Sequence, residues 1–167
     1  MSWATTRSQI EELMNYIGFA RAPEVFDIEK QPASFIDRVF CVQVEEISLN
    51  TEAPDAADRF YPTQKIKISA SYELFSGSQD DYDAAIDKNL RIIQTLNDPN
   101  NRPDDVRMWN WTGTKTKLFQ GDDNWMIVEN LFDLQVQVVF PPATDDNDGL
   151  ATVDENRNTM TISEPRR

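Results

Sequence analysis

The most regular pattern in the chain lies in residues 65–96, KIKISASYELFSGSQDDYDAAIDKNLRIIQTL. Its first ten residues alternate between apolar and polar side chains, which predicts a half-buried strand because successive strand residues point to opposite faces. The residues that follow have apolar side chains at helical spacing. The apolar strand face contains Ile66, Ile68, Ala70, Tyr72 and Leu74, the polar face Lys65, Lys67, Ser69, Ser71 and Glu73, and the helical stripe Tyr82, Ala85, Ile86, Asn89, Ile93 and Leu96.

The junction between this strand and helix is Phe75-Ser76-Gly77-Ser78, at a position where many α/β enzymes have a phosphate loop or a nucleophile. Ser78 is a typical helix N-cap, and Asp81 three residues later completes a capping box. Acidic side chains in the first turn are also favoured by the helix dipole. We therefore interpret Asp80, Asp81 and Asp83 as capping and solvating residues rather than metal ligands.

The N-terminal segment predicts a second amphipathic helix, from about Thr6 to Tyr16. Its apolar residues recur at i, i+3, i+4 and i+7. Thr6 with Gln9 can form a capping box, and Gly18 is placed to end the helix. The apolar residues of this helix are Ile10, Leu13, Met14 and Ile17.

Three further strands are predicted by alternation. The first runs from Phe35 to Ile47, the next starts at Val106, and the last runs from Trp125 to Phe140. Ser48–Pro62 is polar and proline-bounded, which indicates a long exposed acidic loop. The order of elements predicts an α+β fold, with a mostly antiparallel four-stranded sheet and two packed helices. Residues 1–140 form this domain, and residues 141–167 form an acidic C-terminal extension that is poor in large apolar groups.

The composition indicates one folded domain and disfavours several classes of ligand. The chain has 167 residues, of which 40% are hydrophobic, and 29 acidic against 16 basic side chains give a net charge of −13. This charge disfavours binding to the phosphate backbone of nucleic acid, because such binding would need a cationic face. Cys41 is the only cysteine, so an internal disulfide is excluded and a buried, inert thiol is expected. Apolar runs are too short for a membrane helix or a signal peptide, which predicts a cytosolic protein.

Catalytic patterns are missing from the sequence. There is no histidine, and no glycine-rich nucleotide motif or Gly-x-Ser-x-Gly is found. Only paired carboxylates remain, and each pair lies in a turn, a cap or the tail, where acids are common. We therefore expect no enzymatic activity and no cofactor or metal site. The pairs are Asp80/Asp81, Asp104/Asp105, Asp122/Asp123 and Asp145/Asp146.

A second set of residues is better suited to contact with other proteins. Two tryptophans on one face of the third strand are either core residues or interface anchors. Lysines that alternate along two strands indicate a solvent face or a protected strand edge, or a contact with an acidic neighbour. The TMTIS sequence in the tail can add as a short strand to another surface. The candidate interface residues are Lys65, Lys67, Trp109, Trp111, Lys115, Lys117, Asp55, Asp58, Arg59, Met160 and Ile162.

The whole pattern resembles the tail terminator, or tail completion, proteins of long-tailed bacteriophages. The resemblance is carried by the amphipathic N-terminal helix, FCVQVEEI, the acidic loop, the strand-helix unit TQKIKISASYELFSGSQDDYDAAIDKNLRIIQTL and the closing WMIVENLFDLQVQVVF. It covers roughly residues 6–140 and is one of element order and length, without a residue signature.

The resemblance implies a virion protein of the tail or neck, assembled in the host cytoplasm. Such subunits form a homo-hexameric ring on the last ring of the tail tube, stop its growth and offer a surface to a neck or head-completion protein. DNA passes through the lumen without specific binding, and a negative lumen would repel its phosphates. Two other classes remain open: an acidic inhibitor that imitates DNA, and a carboxylate metal enzyme.

Overall fold

The computed structural model describes residues 3–34, 36–48, 59–102, 106–119, 124–136 and 138–139. A short 3-10 turn at Pro99–Asn101 follows the second helix. The elements in chain order are α1 (Trp3–Tyr16), β1 (Ala20–Arg21), β2 (Val39–Ser48), β3 (Arg59–Phe60), β4 (Thr63–Glu73), α2 (Gln79–Asn97), β5 (Val106–Phe119), β6 (Trp125–Val136) and β7 (Val138–Val139).

The main sheet has five strands in the order β1-β2-β4-β6-β5. All neighbours are antiparallel except β1, which runs parallel to β2 and pairs with Val39 and Phe40. The α+β class with two helices on a mostly antiparallel sheet is confirmed, but the predicted number of four strands is wrong. The missed strand has two residues, too few to show an alternating pattern.

The ends of the predicted strands and of the acidic loop also differ. Strand β2 begins at Val39, not at Phe35, because Arg38 adopts a left-handed conformation with φ 56° that breaks the extended chain. Arg59–Phe60, inside the predicted loop, forms a small separate sheet with β7. Residues 49–58 of that loop and the whole 141–167 extension lie outside the described residues.

The main core lies between the sheet and the two helices. The apolar face predicted for β4 is confirmed, since all five of its residues belong to this cluster. Phe132 and Leu134 of β6 and Ile10 and Met14 of α1 are fully buried in it. Tyr72 contacts Phe19 edge to face, with ring centroids 5.8 Å apart. Ile92 of α2 is also fully buried, although the predicted stripe did not include it.

The opposite face of the sheet is covered in part, which the sequence did not predict. Ser69 and Ser71 of β4 are fully buried, so the expectation of a half-buried strand is wrong here. The described residues of segment 22–36, which exclude Phe35, lie over this region, where Ala22 and Phe26 join a second cluster with Val39, Cys41 and Ile127. Some of its polar backbone atoms bond to the sheet: the Ile28 amide donates to Glu129, and the Ser71 hydroxyl donates to the Ile36 carbonyl.

The two helices begin differently from each other. Helix α1 starts at Trp3, three residues earlier than predicted, and Thr6 is buried inside it, so the Thr6–Gln9 capping box is wrong. The predicted stop is confirmed, because Gly18 has φ +90° just after the helix ends. In α2 the Ser78 hydroxyl accepts a hydrogen bond from the Asp81 amide at 3.3 Å, which confirms Ser78 as the N-cap.

The loop before α2 is held by the carboxylate of Asp81. This group accepts hydrogen bonds from the hydroxyl and the backbone amide of Ser76, at 2.6 and 2.7 Å. Both hydrogen bonds lower the pKa of Asp81, and the bond from the hydroxyl has the larger effect. Between Ser76 and Ser78 the chain turns at Gly77, which has φ +65°. A Cβ atom at this position would lie only 2.6 Å from Nδ2 of Asn124. The loop between strand and helix is therefore held by its own side chains and has a structural role.

A buried polar network links α2 to the sheet beneath it. Tyr72 donates its hydroxyl proton to Oδ1 of Asn89 at 3.0 Å, and Asn89 and Asn130 exchange two amide hydrogen bonds at 2.9 and 2.8 Å. Thr114 of β5 donates to Oδ1 of Asn130 at 2.9 Å. Because each member satisfies another, the network fixes the position of α2 over β4, β6 and β5.

Replacing Gly77 by alanine is expected to destabilise the fold by about 1–2 kcal/mol, because alanine is strained at positive φ and its methyl group meets the Asn124 side chain. Gly113→Ala is the matched control, since no atom lies within 4 Å of the added Cβ and glycine is unfavourable inside a strand. Urea unfolding of both variants checks this. Equal losses of stability would contradict the assigned role of Gly77.

Removing the Asn130 side chain is expected to cost about 1–3 kcal/mol, because Asn89 and Thr114 lose a partner and the Asn89 amide is buried. The control is Asn110→Ala, at an exposed position on β5, which should change the free energy of unfolding by less than about 0.5 kcal/mol. The measurement is chemical denaturation monitored by far-UV circular dichroism. A loss no greater than that of the control would show that the network adds nothing to stability.

Candidate interaction surface

Strand β5 is the end strand of the sheet in the described part of the chain, and it pairs with β6 on one side. Its second half is exposed on both faces: Thr114, Thr116 and Leu118 on the helix side, and Lys115 and Lys117 on the other. An unpaired strand edge offers a row of backbone donors and acceptors to another strand. This edge is therefore the most evident place for another chain to bind.

The two tryptophans of β5 are in different environments, although both lie on the helix side of the sheet. Trp109 is 3% exposed and contacts Phe132 edge to face at 6.0 Å, so it belongs to the core. Trp111 is 44% exposed. Its indole N–H donates to the Gly113 carbonyl at 2.9 Å and to the Thr114 hydroxyl at 3.1 Å. Trp111 is thus the one of the pair with surface available to a partner.

A change in register keeps this part of β5 at a fixed position. Trp111 pairs with Phe132 and Gly113 with Leu131, so Thr112 is an extra residue in a bulge. The Thr112 hydroxyl donates to the Leu131 carbonyl at 3.2 Å, and Thr114 joins the buried asparagine network. The exposed edge is therefore attached to the core by side-chain hydrogen bonds as well as by the strand ladder.

The lysines of β4 already have acidic partners within the chain. Nζ of Lys65 lies 2.8 Å from the carboxylate of Glu46, and the hydrogen bond and charge of this carboxylate raise the pKa of Lys65. Nζ of Lys67 lies 2.8 Å from Glu45 and 3.5 Å from the buried Glu129. Partial burial acts to lower the pKa of Lys67, but the two carboxylates outweigh it and raise the pKa overall. Lys65 and Lys67 are thus held in the sheet face by their own chain.

The lysines of β5 differ from those of β4. Among the described residues neither Lys115 nor Lys117 forms an ion pair, and the Lys117 ammonium lies 5.2 Å from the centre of the Phe119 ring. Strand β5 contains three basic and no acidic residues within a chain of net charge −13. A local positive edge on an acidic protein is suited to an acidic partner.

The opposite edge of the sheet is acidic, and the candidate residues chosen from the sequence did not include it. Strand β1 pairs only with Val39 and Phe40, so the rest of β2 has no outer neighbour within the described ranges. Glu45 and Glu46 are exposed there, and Ile47 is 62% exposed. The signal in the sequence was the adjacent glutamates in a strand that has no basic residue.

The other candidate residues cannot be placed on a surface. Asp55, Asp58, Met160 and Ile162 lie outside the described residues, and Arg59 is described only by its backbone pairing in β3. The three acidic pairs predicted beyond Asp80/Asp81 also lie outside. Within the described ranges no group of three or more potential metal-ligating side chains occurs, and no helix there is long and apolar enough to cross a membrane.

The thiol of Cys41 is buried under segment 22–36. It donates to the Phe26 carbonyl at 3.2 Å and accepts from the Phe26 amide at 3.4 Å. Burial raises the pKa of this thiol. Cys41 is therefore a packing residue of the second cluster, held in its protonated form.

No protein-family model matches the chain, and no curated protein matches it.

Truncating the two tryptophans separately is expected to give different results. Trp109→Ala should destabilise the protein by about 3–5 kcal/mol, because it opens a cavity beside Phe132. Trp111→Ala should cost less than about 1.5 kcal/mol, because nearly half of that side chain is already in water. Urea unfolding of the two variants is the measurement. A loss at Trp111 as large as that at Trp109 would contradict its description as a surface residue.

Proposed function

We propose that this chain is a structural virion subunit that forms a ring, of six copies, on the end of the tail tube of a long-tailed bacteriophage. The ring ends polymerisation of the tube and presents a docking surface to a neck or head-completion protein. The observation that supports this best is the order of the long elements, helix, two strands, helix, two strands, with all four of those strands in the main sheet. This is the order on which the resemblance to tail terminator proteins rests.

The surfaces described above are consistent with a subunit whose function is contact rather than catalysis. Strands β5 and β2 leave two sheet edges of opposite charge, and such a pair can make the heterologous contact from which closed rings are built. The strand-helix unit at residues 63–97 supplies the scaffold between them. In this function DNA passes through the ring without a specific contact, and the acidic character of the subunit reduces its attraction for phosphates.

The proposal is tested by the position and mass of the assembled protein. Native mass spectrometry should give a species of about 115 kDa, six chains of 19.2 kDa, either alone or on tube ends. Immunogold labelling of particles of the phage that encodes the chain should mark the head-tail junction, and deleting the gene should give tails of uncontrolled length. A stable twofold dimer, or label along the whole tube, would contradict the proposed function.

A further inference from the structure

We infer that a second copy of this chain binds at the β5 edge through its own β2 edge, residues 42–48, so that the sheet continues from copy to copy. We call this contact the seam. It is the interface between neighbouring subunits of the proposed ring, and its closure into a ring rests on the proposed function. The first argument is backbone pairing. Strands β2 and β6 run in one direction and β4 and β5 in the other. Copies related by a ring axis along the strands keep these directions, so β5 meets the next β2 antiparallel.

The charges of the two edges match on one face of the sheet. Lys115 and Lys117 pair across β5 and β6 with Glu129 and Ile127, on the face opposite the helices. Glu46 pairs with Lys65, which pairs with Asp133 on that same face. In a continuous sheet the lysines of one copy therefore lie on the same side as the acidic edge of the next, and opposite charges on neighbouring strands attract.

The apolar side chains of the two edges match on the other face. Trp111 and Leu118 of β5 project on the helix side, with exposures of 44% and 48%. Ile47 of β2 pairs with Gln64, which pairs with Leu134 on the helix side, and Ile47 is 62% exposed. With Lys115 beside Glu46, Ile47 lies opposite Thr114, to whose hydroxyl the Trp111 indole is bonded, so pairing the edges would remove Ile47 and Trp111 from water together.

The position of the charges also fits a closed ring. Strand β6 allows the two edges to be compared within one copy. Lys115 lies level with Glu129 of β6, and Glu46 lies level, through Lys65, with Asp133, which is four residues further along β6. Bringing Lys115 beside Glu46 thus staggers each copy by that amount over its four long strands. Closed sheets commonly stagger by about one residue per strand. Strand β1, which covers Val39 and Phe40, leaves only the far part of β2 open to the neighbour.

The test exchanges the charges of one edge at a time. Lys115→Glu with Lys117→Glu makes both edges acidic, and Glu45→Lys with Glu46→Lys makes both basic. Each variant alone should self-associate about tenfold more weakly than the natural chain in sedimentation experiments at low salt, because like charges meet at the seam. An equimolar mixture should recover association, since each variant then offers the other a complementary edge.

Matched controls reverse the same number of charges on helix α2, on the face of the sheet opposite the charged rows. These are Lys88→Glu with Arg91→Glu, and Asp83→Lys with Asp87→Lys. They should associate like the natural chain. Because the β2 variant also loses its bonds to Lys65 and Lys67, its folding is checked by urea unfolding.

A cross-link gives a second readout that does not depend on charge. A chain carrying both Lys115→Cys and Glu46→Cys should form a ladder of disulfide-linked oligomers on oxidation, whereas each single variant should stay monomeric on a non-reducing gel. Rings that form equally well with either edge reversed would overturn the seam and leave the ring standing. A twofold dimer, cross-linked by one cysteine variant alone, would overturn both. The seam would also be overturned if the natural chain stays monomeric to about 1 mM and the double cysteine variant gives no ladder. The proposed capping of the tube is then tested separately, by the immunogold labelling described above.

Discussion

The hydrogen-bonded ladder that β4 makes with β2 on one side and β6 on the other is the constraint on which the rest of the molecule depends. Eleven consecutive residues of β4 pair with β6, and the same strand pairs with nearly all of β2. Its helix-side residues are the centre of the main core, and its other face is covered by segment 22–36 around Ser69 and Ser71. With β4 fixed in this way, the outer strands are left with one free edge each.

How far the sequence could predict this arrangement depended on the range of the interactions. The strand and helix at residues 63–97, the Ser78 cap and the Gly18 stop were predictable because neighbours in sequence determine them. The covered second face was not, since the backbone amide of Ile28 binds Glu129 across a sequence separation of 101 residues, and a backbone donor gives no signal in the sequence. Likewise the Thr6–Gln9 pattern fitted a capping box, but the helix continues to Trp3.

The candidate surface was predictable only in part for a related reason. Alternating lysines in β4 and β5 look the same in sequence, yet those of β4 face Glu45 and Glu46 while those of β5 have no ion pair in the described part of the chain. Strand order decides this difference, and strand order comes from long-range pairing. The same holds for Trp109 and Trp111, which share a face but differ in what the helices cover.

The N-terminal segment contacts both faces of the sheet, with α1 on one side, residues 22–36 on the other, and β1 at the crossing. Nearly all its partners are synthesised later, and β6, whose Glu129 binds the Ile28 amide of this segment, is among the last elements of the described chain. During translation the apolar groups of the first forty residues therefore stay exposed until the strands that cover them have been synthesised. Contacts over such sequence separations slow folding through the entropy of loop closure, and apolar surface that stays exposed in the meantime favours aggregation.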